Sequence, residues 1–221
     1  VGIIDSEVKE CLEQEVEKNS NRTGFHDPEG KPGKESSLFA WLKAIRDLLV
    51  ADGMQEAVRL LRFPQTIRCL QGEGVKAEVR NWLMELDQLH QSHLPQTWQD
   101  GLDFARRRNH TVVGAWERIG EWMRLLREGS FEHEIRNLIR LAFAEKPFDS
   151  TNKRDQDYLQ LLPKLSDLLE EISKVSEMNF EQRFFLLLEQ LAQEGWVEET
   201  VEGDLELHGW LELAWADAPR M

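Results

Sequence analysis

The stretch NHTVVGAWERIGEWMRLLRE, residues 109–128, sets Val112, Val113, Trp116, Ile119, Trp122, Met123 and Leu126 at spacings of one, three and four. That rhythm follows the 3.6 residues of a helical turn and not the two-residue alternation of a strand, so it predicts an amphipathic helix. Gly129 and Ser130 stop the pattern. Ile135, Leu138, Ile139 and Ala142 then restart it in a second helix, which the short connection folds back antiparallel on the first.

The same period extends in both directions. Upstream, Leu38, Trp41, Leu42, Ile45 and Leu49 mark one helix, and Met54, Val58 and Leu61 another. Pro64 separates the second from a short piece with Ile67 and Leu70. Val75, Val79, Trp82, Leu83, Leu86 and Leu89 define a longer helix, and Trp98, Leu102 and Ala105 begin the next after Pro95. Downstream of Lys146 and Pro147, Tyr158, Leu161, Leu165, Leu168, Ile172 and Val175 form a long apolar stripe, with a kink expected at Pro163. Asn179 caps a final helix over Phe180–Glu194, which Gly195 ends. Asp5 and Ser6 cap a surface helix reaching to Lys18, with Val8, Leu12 and Val16 as its narrow buried stripe. The predicted fold class is all-α: an irregular multi-helix domain with short strand-like segments at the two chain ends. No repeat of fixed period is present, which disfavours a solenoid.

Two places interrupt the helical rhythm. Residues 19–36 collect Gly, Pro, Asn and Ser into one long loop. Leu205, Leu207, Leu211 and Leu213 alternate with polar residues around a bulge-prone Gly209, the pattern of a strand. A lone strand is unstable, and the other strand-like stretch is Val1 to Ile4. The expected organisation is a helical accessory domain over 1–204 and, over 205–221, the start of a strand from a sheet that is otherwise absent. The opening residues carry neither an initiator Met nor a signal-peptide pattern, so a missing native N-terminus is expected.

Charge narrows the function classes. With 27 basic and 41 acidic side chains the formal charge is −14, a field that repels phosphate backbones and anionic membrane surfaces. No apolar run reaches the roughly 20 residues of a membrane span. Cys11 and Cys69 stand in unrelated contexts, so no disulfide and a cytoplasmic setting are expected. Eight Trp and ten Phe against one Tyr put the apolar content into large rings suited to packing several helices, which favours core over cofactor box.

Candidate chemistry is sparse. Gly24 to Lys31 resembles a phosphate-binding loop, but Pro32 stands where a magnesium-binding Ser or Thr belongs, and Asp27 and Glu29 repel phosphate. Asp5-Ser6-Glu7-Val8-Lys9 contains a Glu-x-Lys element, yet metal-dependent nucleases need a further carboxylate on a separate strand. His90 and His93 lie three apart, and His133 with Glu134 lacks the second His of a zinc-protease helix. No Gly-x-Ser-x-Gly elbow is present. No catalytic, cofactor-binding or metal residue is therefore assigned, and no cofactor is expected in this segment. Arg106, Arg107 and Arg108 are the one dense basic cluster, and with Arg62 and Arg68 they are the candidates for nucleic-acid contact. The competing reading is a helix C-terminus whose cations face the negative end of the dipole.

Three stretches carry a family resemblance. They are Phe25-His-Asp-Pro-Glu-Gly30 followed by Ser37-Leu-Phe-Ala-Trp-Leu42, then Leu60-Leu-Arg-Phe-Pro64, and above all Leu207-His-Gly-Trp-Leu-Glu-Leu-Ala-Trp-Ala-Asp-Ala-Pro-Arg-Met221. The chain resembles the helicase-like region of bacterial PD-(D/E)XK nuclease family proteins related to AddB, the non-motor partner of a recombinational helicase-nuclease. The resemblance implies a non-catalytic helical insertion leading into a strand of a second RecA-like domain. It also implies a role in double-strand-break repair, shaping a DNA channel or a partner interface. The expected partners are the remainder of the parent chain, DNA and a helicase-nuclease partner subunit, with no membrane. No family catalytic residue has a matching position here. A helical protein-protein interaction module unrelated to DNA is the alternative, which the acidic balance supports as well or better.

Overall fold

The computed structural model describes residues 2–3, 25–26, 30–75, 82, 84–88, 95–143, 148–149, 152–175, 177–197, 205–206 and 208–209. Among these the architecture is all-α. Helices α1 (Ser37–Ala51), α2 (Met54–Leu61) and α3 (Pro64–Gly72) follow a one-turn 3-10 helix at Gly33–Glu35. Then come α4 (Trp98–Arg107), α5 (Val113–Glu128), α6 (Phe131–Phe143), α7 (Lys153–Ser173) and α8 (Phe180–Gln193). Trp82 and residues 84–88 are helical, within the helix expected from Val75 to Leu89, whereas Val75 itself is not helical. The expected helix from Asp5 to Lys18 lies outside the described residues.

Side chains at the helix ends explain where the helices begin. Ser36 Oγ accepts from the Phe39 amide at 3.1 Å, satisfying an orphan donor at the start of α1. Asp52, in the left-handed region at φ 50°, ends it. Thr97 caps α4 through the Asp100 amide. Asn179 and Gln182 exchange side-chain and backbone hydrogen bonds at 2.9 and 3.0 Å, a full capping box for α8. Pro163 stands inside α7 and does not end it.

The core is one continuous, mainly aliphatic cluster that includes several large rings. Trp41, Trp82, Trp116 and Phe184 are fully buried, and each ring withdraws roughly 150–250 Å² from water, a gross gain on the order of 4–6 kcal/mol. Helix α1 is the hub, packing on α2, α7 and α8; α3 lies along α6, and α4 bridges α2 and α5. Helices α5 and α6 pack on each other, as their short connection requires.

The strands are two residues each. The chain ends do pair: β1 (Gly2–Ile3) runs parallel to β6 (His208–Gly209). In addition β2 (Phe25–His26) runs parallel to β5 (Leu205–Glu206). The segment read as one loop over 19–36 is thus partly ordered into short elements. It holds β2, the 3-10 turn, and β3 (Lys31–Pro32), which pairs antiparallel with β4 (Gly195–Trp196). Pro32 is tolerated because a strand this short needs few ladder donors. Gly33 follows, its amide 2.6 Å from the Glu194 carbonyl. A Cβ there would come within 2.0 Å of the Leu191 carbonyl oxygen, so only glycine lets the 3-10 turn lie this close to the end of α8. That contact places Ser37 and Trp196 at the edge of the cleft described next.

Candidate functional site

A cleft of about 840 Å³ opens between the start of α1, the elbow from α2 to α3, the start of α7 and Trp196. The elbow is made by Pro64. It occupies the first position of α3, where its missing amide hydrogen costs nothing, and it holds Phe63 in extended backbone at ψ 129°. The bend brings Arg59 and Arg62, in and just after the last turn of α2, to the same opening as Arg68 of α3.

The floor is polar and buried. Gln65, which lines the cleft, is 3% exposed, and its neighbour Thr66, which does not, is 0% exposed and accepts from the Trp41 indole at 3.0 Å through Oγ1. The Gln65 amide nitrogen donates to the Tyr158 hydroxyl, while Gln65 Oε1 is buried with no partner among the described residues. Asp157 Oδ2 accepts from the Ser37 amide at 2.8 Å, putting a carboxylate at the positive end of α1. Burial pushes the Tyr158 phenol up and the Asp157 charge adds to this, while Ser37, Arg68 and Gln65 pull the other way. The hydroxyl is therefore a neutral hydrogen-bonding group at physiological pH and not a base.

The arginines are held loosely. Arg62 reaches Asp87 at 2.8 Å, but both side chains are more than half exposed. Arg59 stands 4.0 Å from Asp47. Arg68 donates to the Ala142 carbonyl at 3.3 Å and lies over the Phe143 ring. Glu35 and Asp155 also face the cleft, and Asp155 accepts from the Asp149 amide.

The five arginines expected to touch nucleic acid thus divide. Arg62 and Arg68 share the cleft. Arg106, Arg107 and Arg108 lie at the C-terminal end of α4 and do not line it. Arg106 is clamped by Glu117 at 2.9 and 3.1 Å and by Asp103 at 3.2 Å, and the Glu117 hydrogen bond leads in raising its pKa. Arg108 lies over the Phe104 ring. Arg107 is exposed with no ion-pair partner among the described residues.

The other candidates gain nothing from the fold. His133 is exposed, and no group of three metal-ligating side chains occurs among the described residues. Asp5 to Lys9, Gly24, Asp27, Glu29, His90 and His93 lie outside the described residues. Lys31, the end of the loop that resembles a phosphate cradle, has its ammonium over the Trp196 ring. Cys69 is free and buried, and burial, helped by Glu73, pushes its thiol up to about 12, which removes it as a nucleophile. Cys11 lies outside the described residues. No described helix is long and apolar enough to cross a membrane.

Sequence reasoning passed over Arg59, Gln65 and Tyr158. A signal for Gln65 existed: it lies four residues before Cys69, as Thr66 does before Leu70, so both polar side chains share the buried side of α3. Tyr158, the lone tyrosine, was absorbed into the apolar stripe of α7. No protein-family model, curated protein or solved structure matches this chain.

Proposed function

We propose that this chain is a non-catalytic helical segment of a helicase-like exonuclease related to AddB, acting in DNA double-strand-break repair and recombination by shaping a DNA channel or partner interface. One observation supports the reading above others. The first and last described residues pair in parallel, and Phe25–His26 pairs in parallel with Leu205–Glu206, giving two separate two-residue parallel pairs. Parallel strands are normally covered on both faces within a larger α/β sheet, and two-residue pairs bury no face of their own. A RecA-like sheet would supply the missing strands. The test is the reading frame on either side of this segment, which should encode a Gly-rich phosphate loop and a C-terminal nuclease signature. A frame with neither removes the proposal.

A second reading, a helical protein-interaction module, is favoured by the clamping of Arg106 and by the charge of −14, which repels a DNA backbone. Its mark would be a protein partner that is retained after nuclease treatment and lost in high salt.

A further inference from the structure

We infer that residues 194–197 form a latch that opens as a unit, taking Trp196 out of the cleft wall while the helices it closes on stay folded. On one side the latch rests on side chains of α7. Gln160 grips the Val197 backbone twice: Nε2 donates to the carbonyl at 2.6 Å, and Oε1 accepts from the amide at 2.9 Å. Lys164, one turn on, donates to the Gly195 carbonyl at 2.8 Å and pairs with Glu194 at 3.0 Å. The three hydrogen bonds are exposed and the ion pair is partly so, and water replaces most of what they contribute when they break.

On the other side the latch meets bare backbone. Its β4 residues make a two-residue antiparallel pair with β3, and the Glu194 carbonyl accepts from the Gly33 amide at 2.6 Å. At Gly30, whose φ is +78°, a Cβ would lie 2.7 Å from the Trp196 carbonyl oxygen, so the loop approaches without a side chain between. Only Trp196 anchors the latch in the core. It is 6% exposed, and its indole N–H has no partner among the described residues, whereas Gly195 and Val197 are exposed. The Lys31 ammonium covers the ring at 5.6 Å. By contrast Leu161 and Leu165 of α7 and Leu187 and Leu191 of α8 are fully buried. Opening the latch exposes one ring, while opening the helices exposes the whole cluster. Segments with one buried side chain and exposed hydrogen bonds open locally, well below the cost of global unfolding. Because Trp196 lines the cleft, this gives the cleft one movable wall.

Every group in the latch belongs to this chain, so its opening is independent of the helicase-like reading. Hydrogen exchange on the intact chain tests it. The Gly33 and Val197 amides are held at opposite edges of the latch. They should show the same protection factor, at least about a hundredfold below those of Leu187 and Leu191 in α8. Gln160→Ala removes the grip on Val197 and touches nothing at Gly33. It should nevertheless lower protection at Gly33 at least about fivefold, with the urea midpoint unchanged. A lock supplies the converse. Pro32 faces Gly195 across the strand pair, and a Cβ at Gly195 meets nothing within 4 Å, so Pro32→Cys with Gly195→Cys, in a Cys11→Ser chain, can bridge the seam. Oxidation should raise protection at Gly33 and Val197 at least about tenfold, and dithiothreitol should reverse the gain. Protection at Gly33 and Val197 equal to that of α8, a Gln160→Ala effect confined to Val197, or no gain once mass spectrometry shows the disulfide formed overturns the inference.

Discussion

The two ends of α3 use similar side chains to opposite effect. At the C-terminal end, Glu73 takes the Arg118 guanidinium through both carboxylate oxygens, at 2.5 and 2.7 Å, and also accepts the Trp122 indole at 2.9 Å. Arg118 reaches Glu121 as well, and the Glu73 hydrogen bond leads in raising its pKa. Glu73 is the C-cap of α3, so this closed cluster ties α3 to α5 and leaves no donor unpaired on the indole. At the N-terminal end, Gln65 has one partner and an orphan oxygen, and the nearby arginines rest on exposed or distant acceptors. A polar cluster that satisfies itself holds helices together, and one left partly satisfied carries the desolvation cost of its orphan group.

Breaking the closed end should have the larger effect. Glu73→Ala strands the Trp122 indole, which is 6% exposed, and frees a guanidinium. Arg118 is 35% exposed, so part of its charge is recovered by water. A loss of about 3 kcal/mol is expected, read as a shift in the urea midpoint at constant slope. Glu73→Gln keeps one acceptor and should lose less. If Glu73→Ala unfolds like the parent chain, the closed cluster contributes nothing and the contrast collapses.

Between the two ends lies Cys69, whose Sγ donates to the Leu138 carbonyl at 3.3 Å. Its folded pKa of about 12 stands above the ordinary 9.0, chiefly through burial. Below pH 9 the thiol is protonated in both states and its contribution to stability is intact. As pH rises from about 9 towards 12, only the unfolded chain releases the proton, and stability falls at up to roughly 1.4 kcal/mol per pH unit. Cys69→Ala lacks this slope, so the stability difference between parent and variant should shrink across that window. Parallel pH profiles would show that the middle of α3 is wetter than the structure has it.

At the open end the expected change is small. Gln65→Met fills a similar volume, removes the orphan acceptor and loses the hydrogen bond to Tyr158, so the two effects oppose. The midpoint should move by less than about 1 kcal/mol in either direction. A loss as large as that from Glu73→Ala would mean that Gln65 belongs to a closed structural network.

The helices were legible because their signals are local. Trp116, Ile119, Trp122, Met123 and Leu126 are all buried in α5, on the face that their spacing marks. The capping box at Asn179 and the break at Pro64 are equally readable from neighbouring residues. The cleft was not legible, because it joins residues 35–68 to residues 152–158 and Trp196, and spacing within one helix says nothing about which elements meet. The ion pairing of Arg106 within the Arg106 to Arg108 cluster was not legible for the same reason. Its neutralising partner Glu117 lies eleven residues away on the next helix.

The smallest effect sharpens the contrast most. Arg62 and Asp87 approach to 2.8 Å, closer in distance than many pairs called structural, yet their side chains are 55% and 58% exposed. In water the attraction is screened, and ordering two long side chains offsets much of what remains. A double-mutant cycle with Arg62→Ala and Asp87→Ala should give a coupling below about 0.5 kcal/mol, vanishing in high salt. The same cycle on Arg118 and Glu73 should give several times more and persist in salt, because Glu73 is only 12% exposed. If the Arg62 coupling is instead large, that guanidinium is committed to Asp87 and is not available at the cleft rim.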